Sequence, residues 1–322
     1  MTGRGVVTRF LLGTDGKLRP HWRALLYFAL AYWVLPLALD PIFGYVASFF
    51  SLSPGLSAAN LTIGELENLV VALVCTGAFA LYEDRRVDSY GLPTAQALGK
   101  LTWQGALVGV LMAGGVAAGM SLLGGLQIRG FATSGGALAL STAAWLFAAV
   151  CAGLAEEWWF RSYLLQTLWK SIGFWPASII IALLFTADHY FFKTGENIWD
   201  VITLLSLSLL MCYSVLKTGT LWFAVGFHAA FDFMQLFVIG TPNGARMPEG
   251  RLFDVTFDGP AWLTGGALGT EASFLIYPLI ALAWLYLWRL RSRTPAHGVQ
   301  RPLSIAADTP AQGQTMNDDV SV

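Results

Sequence analysis

Residues 137–165 read ALALSTAAWLFAAVCAGLAEEWWFRSYLL, an apolar run that nevertheless contains Glu156, Glu157 and Arg161. About 20 apolar residues cross a bilayer as a helix at about 1.5 Å per residue, so this run is long enough to span one. A charged side chain in hydrocarbon costs roughly 2.5 kcal/mol or more unless it pairs, faces a wet cavity or serves chemistry. The run therefore predicts a membrane helix that carries a functional site.

The composition of the whole chain fits that prediction. Of its 322 residues, 56% are hydrophobic and only 12% are charged, and the mean hydropathy is +0.59. A soluble globular domain is far less apolar, so the chain is predicted to be a polytopic membrane protein. The net charge of −1 gives no basic patch for nucleic acid, which excludes that partner. The three cysteines lie in apolar runs and argue against a disulfide framework.

Eight apolar runs are candidates for membrane spans, which predicts an all-α transmembrane bundle of about eight helices. The second and sixth runs are the shortest. In order they are Trp22–Val46, Leu66–Tyr82, Leu101–Leu123, Ala137–Leu165, Phe174–Phe192, Val201–Leu216, Leu221–Ile239 and Ala272–Leu290. In the third run, Gly115 and Gly119 form a GxxxG pair that permits close helix contact, either within the bundle or between two copies of the chain.

The distribution of lysine and arginine predicts that both termini face the cytoplasm, since cytoplasmic flanks collect these residues. With eight spans and the N-terminus inside, 14 of them fall on inside segments, and only Arg129, Lys193, Arg246 and Arg251 fall outside. Residues 1–293 are predicted to form one membrane-embedded domain, and 294–322 a disordered cytoplasmic tail. The Gly- and Pro-rich segment Gly240–Glu271 is predicted to be an external loop that covers the bundle.

The spacing of the charged residues assigns them different roles. Residues four apart share a helix face, whereas neighbours diverge by about 100°, so Arg161 pairs with Glu157 while Glu156 points elsewhere. Glu156 is then free to act on a water as a general base. The alternative interpretation is that all three charges form a structural lock between helices.

Two of the four histidines lie within predicted spans. His189 follows Phe185 by one helical turn on the fifth run, and His228 precedes Asp232 by one turn on the seventh. His228 and Asp232 therefore face the same space, where the imidazole is oriented by the carboxylate or donates to a developing oxyanion. Counted singly, each histidine is also compatible with a packing role.

Three motifs occur in order on these runs, and together they resemble a known family. Residues 156–161 fit EExxxR, residues 185–189 fit FxxxH, and residues 228–232 fit HxxxN/D. The pattern is similar to that of the CPBP intramembrane proteases, which include the type II CAAX prenyl endopeptidases and the Abi, bacteriocin-processing proteins. The motif core covers about residues 137–239, and an eight-helix bundle is what the family shows.

The resemblance implies an enzyme that cleaves a peptide bond within the membrane. Glu156 with His189 would activate the attacking water, and His228 with Asp232 would stabilise the oxyanion. Glu157, Arg161 and Phe185 would support them. No cofactor is favoured, because the HExxH spacing of a zinc protease is absent. If the enzyme were metal-dependent, Glu156, His189 and His228 would have the ligand count of a catalytic zinc site.

One position departs from the prenyl endopeptidases, which carry asparagine where this chain has Asp232. An ionised carboxylate cannot donate a hydrogen bond to an oxyanion. Asp232 is therefore protonated, or orients His228, or binds a cation, and its role does not carry over from the family.

The sequence thus predicts an intramembrane endopeptidase in a bacterial cytoplasmic membrane. Its partners would be the lipid bilayer and a membrane-associated peptide or protein substrate, with or without a lipid anchor. Two alternatives belong to other classes: a non-catalytic membrane scaffold of the same fold, and a proton-coupled transporter, which would also bury such residues.

Overall fold

The computed structural model describes residues 3–52 and 54–290, and it confirms the predicted all-α polytopic bundle. Eight of the described helices are long and apolar enough to cross a membrane. We number them α1 to α8: Pro20–Phe49, Ala58–Glu83, Lys100–Leu122, Gly135–Ile172, Phe174–Phe192, Ile198–Thr218, Trp222–Ile239 and Gly266–Arg289. The protein is an integral multi-pass membrane protein. A shorter helix, Gly3–Leu11, precedes α1.

The predicted beginning of the second span was wrong by eight residues. Helix α2 begins at Ala58 rather than Leu66, after Ser57 has capped it by accepting a hydrogen bond from the Asn60 amide at 3.2 Å. The acidic side chain of Glu65 interrupts the hydropathy at this point, but it does not interrupt the backbone hydrogen bonds. As a result, Glu65 lies inside a membrane helix.

The last span and the segment before it also differ from the prediction. Helix α8 opens with a 3-10 segment, Gly266–Ala272, and its α-helical part begins at Ile276, so the predicted start at Ala272 lies between the two. The predicted loop 240–271 contains regular structure: strand β2 (Phe253–Phe257) pairs antiparallel with β1 (Leu126–Phe131), and the short helix Ala261–Thr264 follows. A bulge lies between Ile128 and Gly130 of β1. The predicted tail 294–322 lies outside the described residues.

Helix α7 lies at the centre of the bundle. About 67% of its membrane segment is buried, against 11% for α1, and its largest contacts are with α3 and α4. Glycine permits the contact with α3, because a Cβ at Gly105 would lie 1.9 Å from the carbonyl oxygen of Phe223. Gly153 of α4 meets α7 in the same way, 3.0 Å from the Val225 carbonyl. These contacts fix the helix that carries His228 against the helix that carries Glu156.

Replacing Gly105 by alanine is therefore expected to destabilise the bundle by about 1–3 kcal/mol, the usual range for an overpacked core. The measurement is the unfolding midpoint of the purified protein in detergent. Gly114→Ala on the same helix is the matched control, because a Cβ there meets only the Met234 side chain at 3.7 Å. Equal midpoints for the two variants would contradict a tight contact between α3 and α7.

The GxxxG pair of α3 packs within the bundle. A Cβ at Gly115 would lie 3.0 Å from Leu279, and one at Gly119 would lie 2.9 Å from Leu275, both on α8. The first of the two interpretations drawn from the sequence is thus the one that the structure favours.

Three helices contain a wider, π-helical turn. These turns are Leu30–Val34 in α1, Phe160–Leu164 in α4 and Phe233–Ile239 in α7. The backbone of Ser162 leaves helical geometry altogether, with ψ at −106°. Such turns occur frequently at functional sites, because they re-aim the side chains next to them. Here the second turn directly follows the two glutamates of α4, and the third directly follows Asp232.

Candidate active site

The predicted ion pair between Glu157 and Arg161 is present and sealed from solvent. Arg161 Nη1 donates to Glu157 Oε1 at 2.8 Å, and its Nη2 donates to the Ser208 hydroxyl of α6 at 2.8 Å. Both charged side chains are 1% exposed. Arg161 also lies over the ring of Phe185, 4.9 Å from the ring centroid, a favourable cation–π distance. The pair therefore joins α4 to α5 and α6.

Glu156 points away from this pair, as the helix spacing predicts. Its side chain is 18% exposed, against 1% for Glu157. Its Oε2 lies 3.6 Å from His228 Nε2 and 4.0 Å from His189 Nε2. That oxygen has no hydrogen-bond partner among the residues that the structure describes. The structure thus brings the three side chains together from α4, α5 and α7.

Glu157 has a second partner that the sequence analysis did not anticipate. The Nδ1 atom of His228 lies 3.0 Å from Glu157 Oε1, the same oxygen that Arg161 binds. A carboxylate paired with arginine only accepts hydrogen bonds, so this His228 nitrogen carries the hydrogen. The contact turns the other ring nitrogen, Nε2, toward Glu156 and Asp232.

His189 is oriented by the backbone of its own helix. Its Nδ1 lies 3.1 Å from the carbonyl oxygen of Phe185, and a carbonyl only accepts, so Nδ1 carries the hydrogen here too. In the neutral ring, Nε2 is then an acceptor that faces Glu156. The ring of Phe185 packs on the imidazole with centroids 4.5 Å apart. The FxxxH spacing thus supplies both the carbonyl and the ring that hold His189.

Asp232 accepts hydrogen bonds instead of donating them to a neighbour. Its Oδ2 lies 3.6 Å from His228 Nε2, and its Oδ1 accepts from the side-chain amide of Gln235 at 3.3 Å. The Thr270 hydroxyl donates to Gln235 Oε1 at 2.7 Å, which leaves the amide nitrogen of Gln235 to face Asp232 and Glu271. This network holds the carboxylate of Asp232 beside the imidazole of His228.

Lys193 closes the network at the end of α5. It pairs with Glu271, and Glu196 lies 3.6 Å from its ammonium group. Burial by itself lowers the pKa of Lys193, but the carboxylates of Glu271 and Asp200 outweigh this effect and raise the pKa above its ordinary value. Lys193 therefore stays charged and ties the connection after α5 to the beginning of α8.

A cavity of about 430 Å³ reaches Glu156 and His189. Two further carboxylates line it. Asp188 accepts from the Tyr32 hydroxyl at 2.9 Å, and Glu65 accepts from the Asn68 amide at 3.2 Å. His228 and Asp232 line a smaller space of about 50 Å³, which His189 lines as well. Glu156 thus lines the larger cavity, His228 and Asp232 line the smaller space, and His189 lies between the two sets because it lines both.

Neither Asp188 nor Glu65 was predicted as a site residue, and Glu65 was placed outside the membrane helices altogether. It was excluded because the second span was begun at Leu66. The signal that would have included it is the helix cap at Ser57, which extends α2 outward by more than two turns.

The donor atoms of the site decide whether a metal ion fits there. Among the described residues, no group of three or more His, Cys, Asp or Glu side chains is arranged to hold a metal ion. Zinc binds nitrogen and oxygen donors at about 2.0–2.2 Å. The separations of 3.6 and 4.0 Å between Glu156 and the two imidazoles are possible for donors around one ion, and His189 and His228 line the same small space. A zinc ion held by Glu156, His189 and His228 therefore stays a prediction.

Fold and site together define a multi-pass membrane protein with a polar cluster of Glu, His and Asp inside the helix bundle. Residues 138–234 match the family model described as type II CAAX prenyl endopeptidase Rce1-like. This segment holds all seven residues that the motifs pointed to. Over this segment, the match supports the resemblance to the CPBP intramembrane proteases.

A curated relative matches a somewhat larger share of the chain than the family model does. The "Uncharacterized protein YyaK" of Bacillus subtilis (strain 168) is 30% identical over 139 residues, which are 42% of this chain and 43% of that protein. The match thus spans less than half of the relative's length. No solved structure gives a significant match.

Proposed function

We propose that this protein is an intramembrane endopeptidase in which Glu156 activates the attacking water. The proposal rests on the position of Glu156 Oε2, which lies 3.6 Å from His228 Nε2 and 4.0 Å from His189 Nε2. When two polar groups lie more than about 3.5 Å apart, a water molecule commonly bridges them. The family match to a peptidase supports the same class of reaction.

In the proposed first step, Glu156 takes a proton from the water while His189 Nε2 accepts its other hydrogen. The water oxygen bonds to the carbonyl carbon of the substrate, and the electron pair of the C=O bond moves to the carbonyl oxygen. General-base catalysis of this kind contributes about 10²–10⁴-fold to a rate.

His228 is proposed to stabilise the resulting oxyanion. With Nδ1 held by Glu157, the imidazolium of His228 would present its Nε2 hydrogen to the developing charge. Asp232 would act on His228 and not on the substrate, since it already accepts from Gln235. The C–N bond then breaks, and Glu156 returns its proton to the leaving amine.

The test is cleavage of a peptide panel, with and without prenylated cysteine, by the purified protein in detergent. We expect at least one peptide to be cut, and we expect the chelator 1,10-phenanthroline to leave the rate unchanged. Loss of cleavage with chelator and recovery with added Zn²⁺ would contradict the metal-free mechanism and point to Glu156, His189 and His228 as ligands.

The scaffold alternative has its own test. A scaffold of the same fold would tolerate Glu156→Gln, so this variant would complement a deletion strain as well as the wild type. If no peptide is cut and the variant complements fully, the proposed peptidase activity is wrong.

A further inference from the structure

Among the described connections between helices, those that line the cavity at Glu156 all lie at one face of the bundle. Three connections between helices contribute lining residues: the one before α2, the one after α5 and the one after α7. These residues are Gly55, Leu56, Lys193, Thr194, Asn243, Gly244 and Arg246. Successive connections alternate between the two faces because each helix crosses the bundle once, so these three share a face. The connections after α2, α4 and α6 contribute no lining residue.

The opposite face carries the basic residues, and the structure anchors several of them there. Lys17 pairs with Asp84 at 2.8 Å, and Arg23 pairs with Glu83 at 2.7 Å. The same face receives the ends of α4 and α6, which supply Lys170 and Lys217, and the end of α8, which supplies Arg289. By the positive-inside rule this is the cytoplasmic face.

The face with the cavity mouth carries few cations, and the structure pairs two of them. Lys193 is buried against Glu271, and Arg251 lies 3.7 Å from Asp254. Arg246 is exposed at the mouth of the cavity. The mouth therefore belongs to the face that the charge distribution assigns to the outside of the cell.

We infer that the substrate of this protein is a polypeptide segment presented at the non-cytoplasmic side of the membrane. An exported peptide or the outer juxtamembrane part of a membrane protein has this chemistry, whereas a lipidated cytosolic C-terminus would meet the closed, basic face. That the entering polypeptide is a substrate rests on the proposed peptidase function, whereas the side from which it enters rests on geometry and charge alone. A volume of about 430 Å³ is within the range of about 300–1,000 Å³ that ligand pockets occupy and suits a short extended segment.

The side of entry is tested by cysteine labelling in intact bacterial cells with a charged, membrane-impermeant thiol reagent. Arg246→Cys places the thiol at the mouth, and Arg86→Cys is the matched control, an exposed arginine at the opposite face. The wild type is the blank, because its three cysteines are buried. We expect at least ten-fold more label on the 246 variant than on the 86 variant in intact cells, and the reverse in inverted vesicles.

The cavity itself is tested on α2. Asn68→Cys lines the cavity, whereas Val74→Cys lies on the same helix with 49% of the residue exposed toward lipid. We expect the small charged reagent to reach the 68 variant from outside only and to leave the 74 variant unlabelled, because the thiolate reacts only where water is present. Labelling of the 246 or 68 variant from the cytoplasmic side only, or from neither side, would overturn the inference.

The two proposals fail separately. Any peptide that the purified protein cuts is added to right-side-out and to inverted membrane vesicles that contain the protein. Cleavage only by right-side-out vesicles supports both proposals, and cleavage only by inverted vesicles keeps the peptidase but overturns the side of entry. Outside labelling without cleavage of any peptide keeps the side of entry and removes the peptidase.

Discussion

Replacing Glu156 by glutamine is expected to lower the rate of peptide cleavage by at least about 10³-fold. Glutamine keeps the size of the side chain but cannot take a proton from water, so the loss falls in the upper part of the range of about 10²–10⁴-fold for a general base. The fall should appear in kcat, with KM little changed, because the proposed role of Glu156 is to activate the water and not to bind the peptide. The measurement is the rate of cleavage of one panel peptide under saturating conditions.

The control for this prediction is Glu67→Gln, which removes a carboxylate from a membrane helix without touching the cavity. It should keep the wild-type rate. The unfolding midpoint of the Glu156 variant should also stay close to that of the wild type, since the removed oxygen makes no hydrogen bond. A Glu156→Gln protein that cuts peptides at the normal rate would refute the assignment of the base.

Replacing Arg161 by alanine is expected to lower the stability of the fold by about 3–5 kcal/mol. Removing one partner of a buried ion pair leaves the other charge buried and uncompensated, and costs of that size are usual. Here the loss would leave Glu157 without its cation, and the Ser208 hydroxyl of α6 without its donor. The change is measured as the shift of the unfolding transition of the purified protein in detergent.

Two further variants serve as controls for the stabilising role of the Arg161 ion pair. Arg86→Ala removes an arginine from an exposed pair with Asp88 and should leave the unfolding transition unchanged. Arg161→Lys keeps the charge but replaces the two-pronged guanidinium by a single ammonium group. Its unfolding midpoint should therefore lie between those of the wild type and the alanine variant. If Arg161→Ala unfolds at the wild-type midpoint, the ion pair does not hold α4 to α6.

The contrast between Glu156 and Glu157 shows what helix geometry alone predicts. Two neighbouring glutamates have nearly opposite environments, one at the cavity and one sealed within the bundle, because successive side chains diverge by about 100°. The spacing of four residues to Arg161 assigned the pair correctly. Such contacts are local, so the sequence is enough to predict them.

The contact between Glu157 and His228 could not be predicted in that way. The two residues are 71 positions apart on different helices, and their meeting depends on how closely α4 and α7 approach each other. That approach depends in turn on Gly153, where a Cβ would lie 3.0 Å from the backbone of α7. The spacing of four residues offered Asp232 as a group that orients His228, but the His228 ring donates its hydrogen bond to Glu157.

The sequence also did not predict the positions of two polar residues near the connections before α2 and after α7. Glu65 belongs to the cavity because the cap at Ser57 begins α2 early, and hydropathy is insensitive to a cap. Glu271 was counted as the end of a loop, yet it binds Lys193 and Gln235 inside the bundle. Both errors came from treating a charged residue as the end of a span.

The sequence by itself determined the class of fold, the number of spans and the identity of the charged residues within them. Hydropathy over about 20 residues and the spacing of four residues on a helix are properties of one segment at a time, and both are set by the chain locally. The tertiary structure decided which of those residues meet, how each imidazole is turned and where the cavity opens. These depend on contacts between helices far apart in the chain, and such contacts are fixed only when the whole bundle packs.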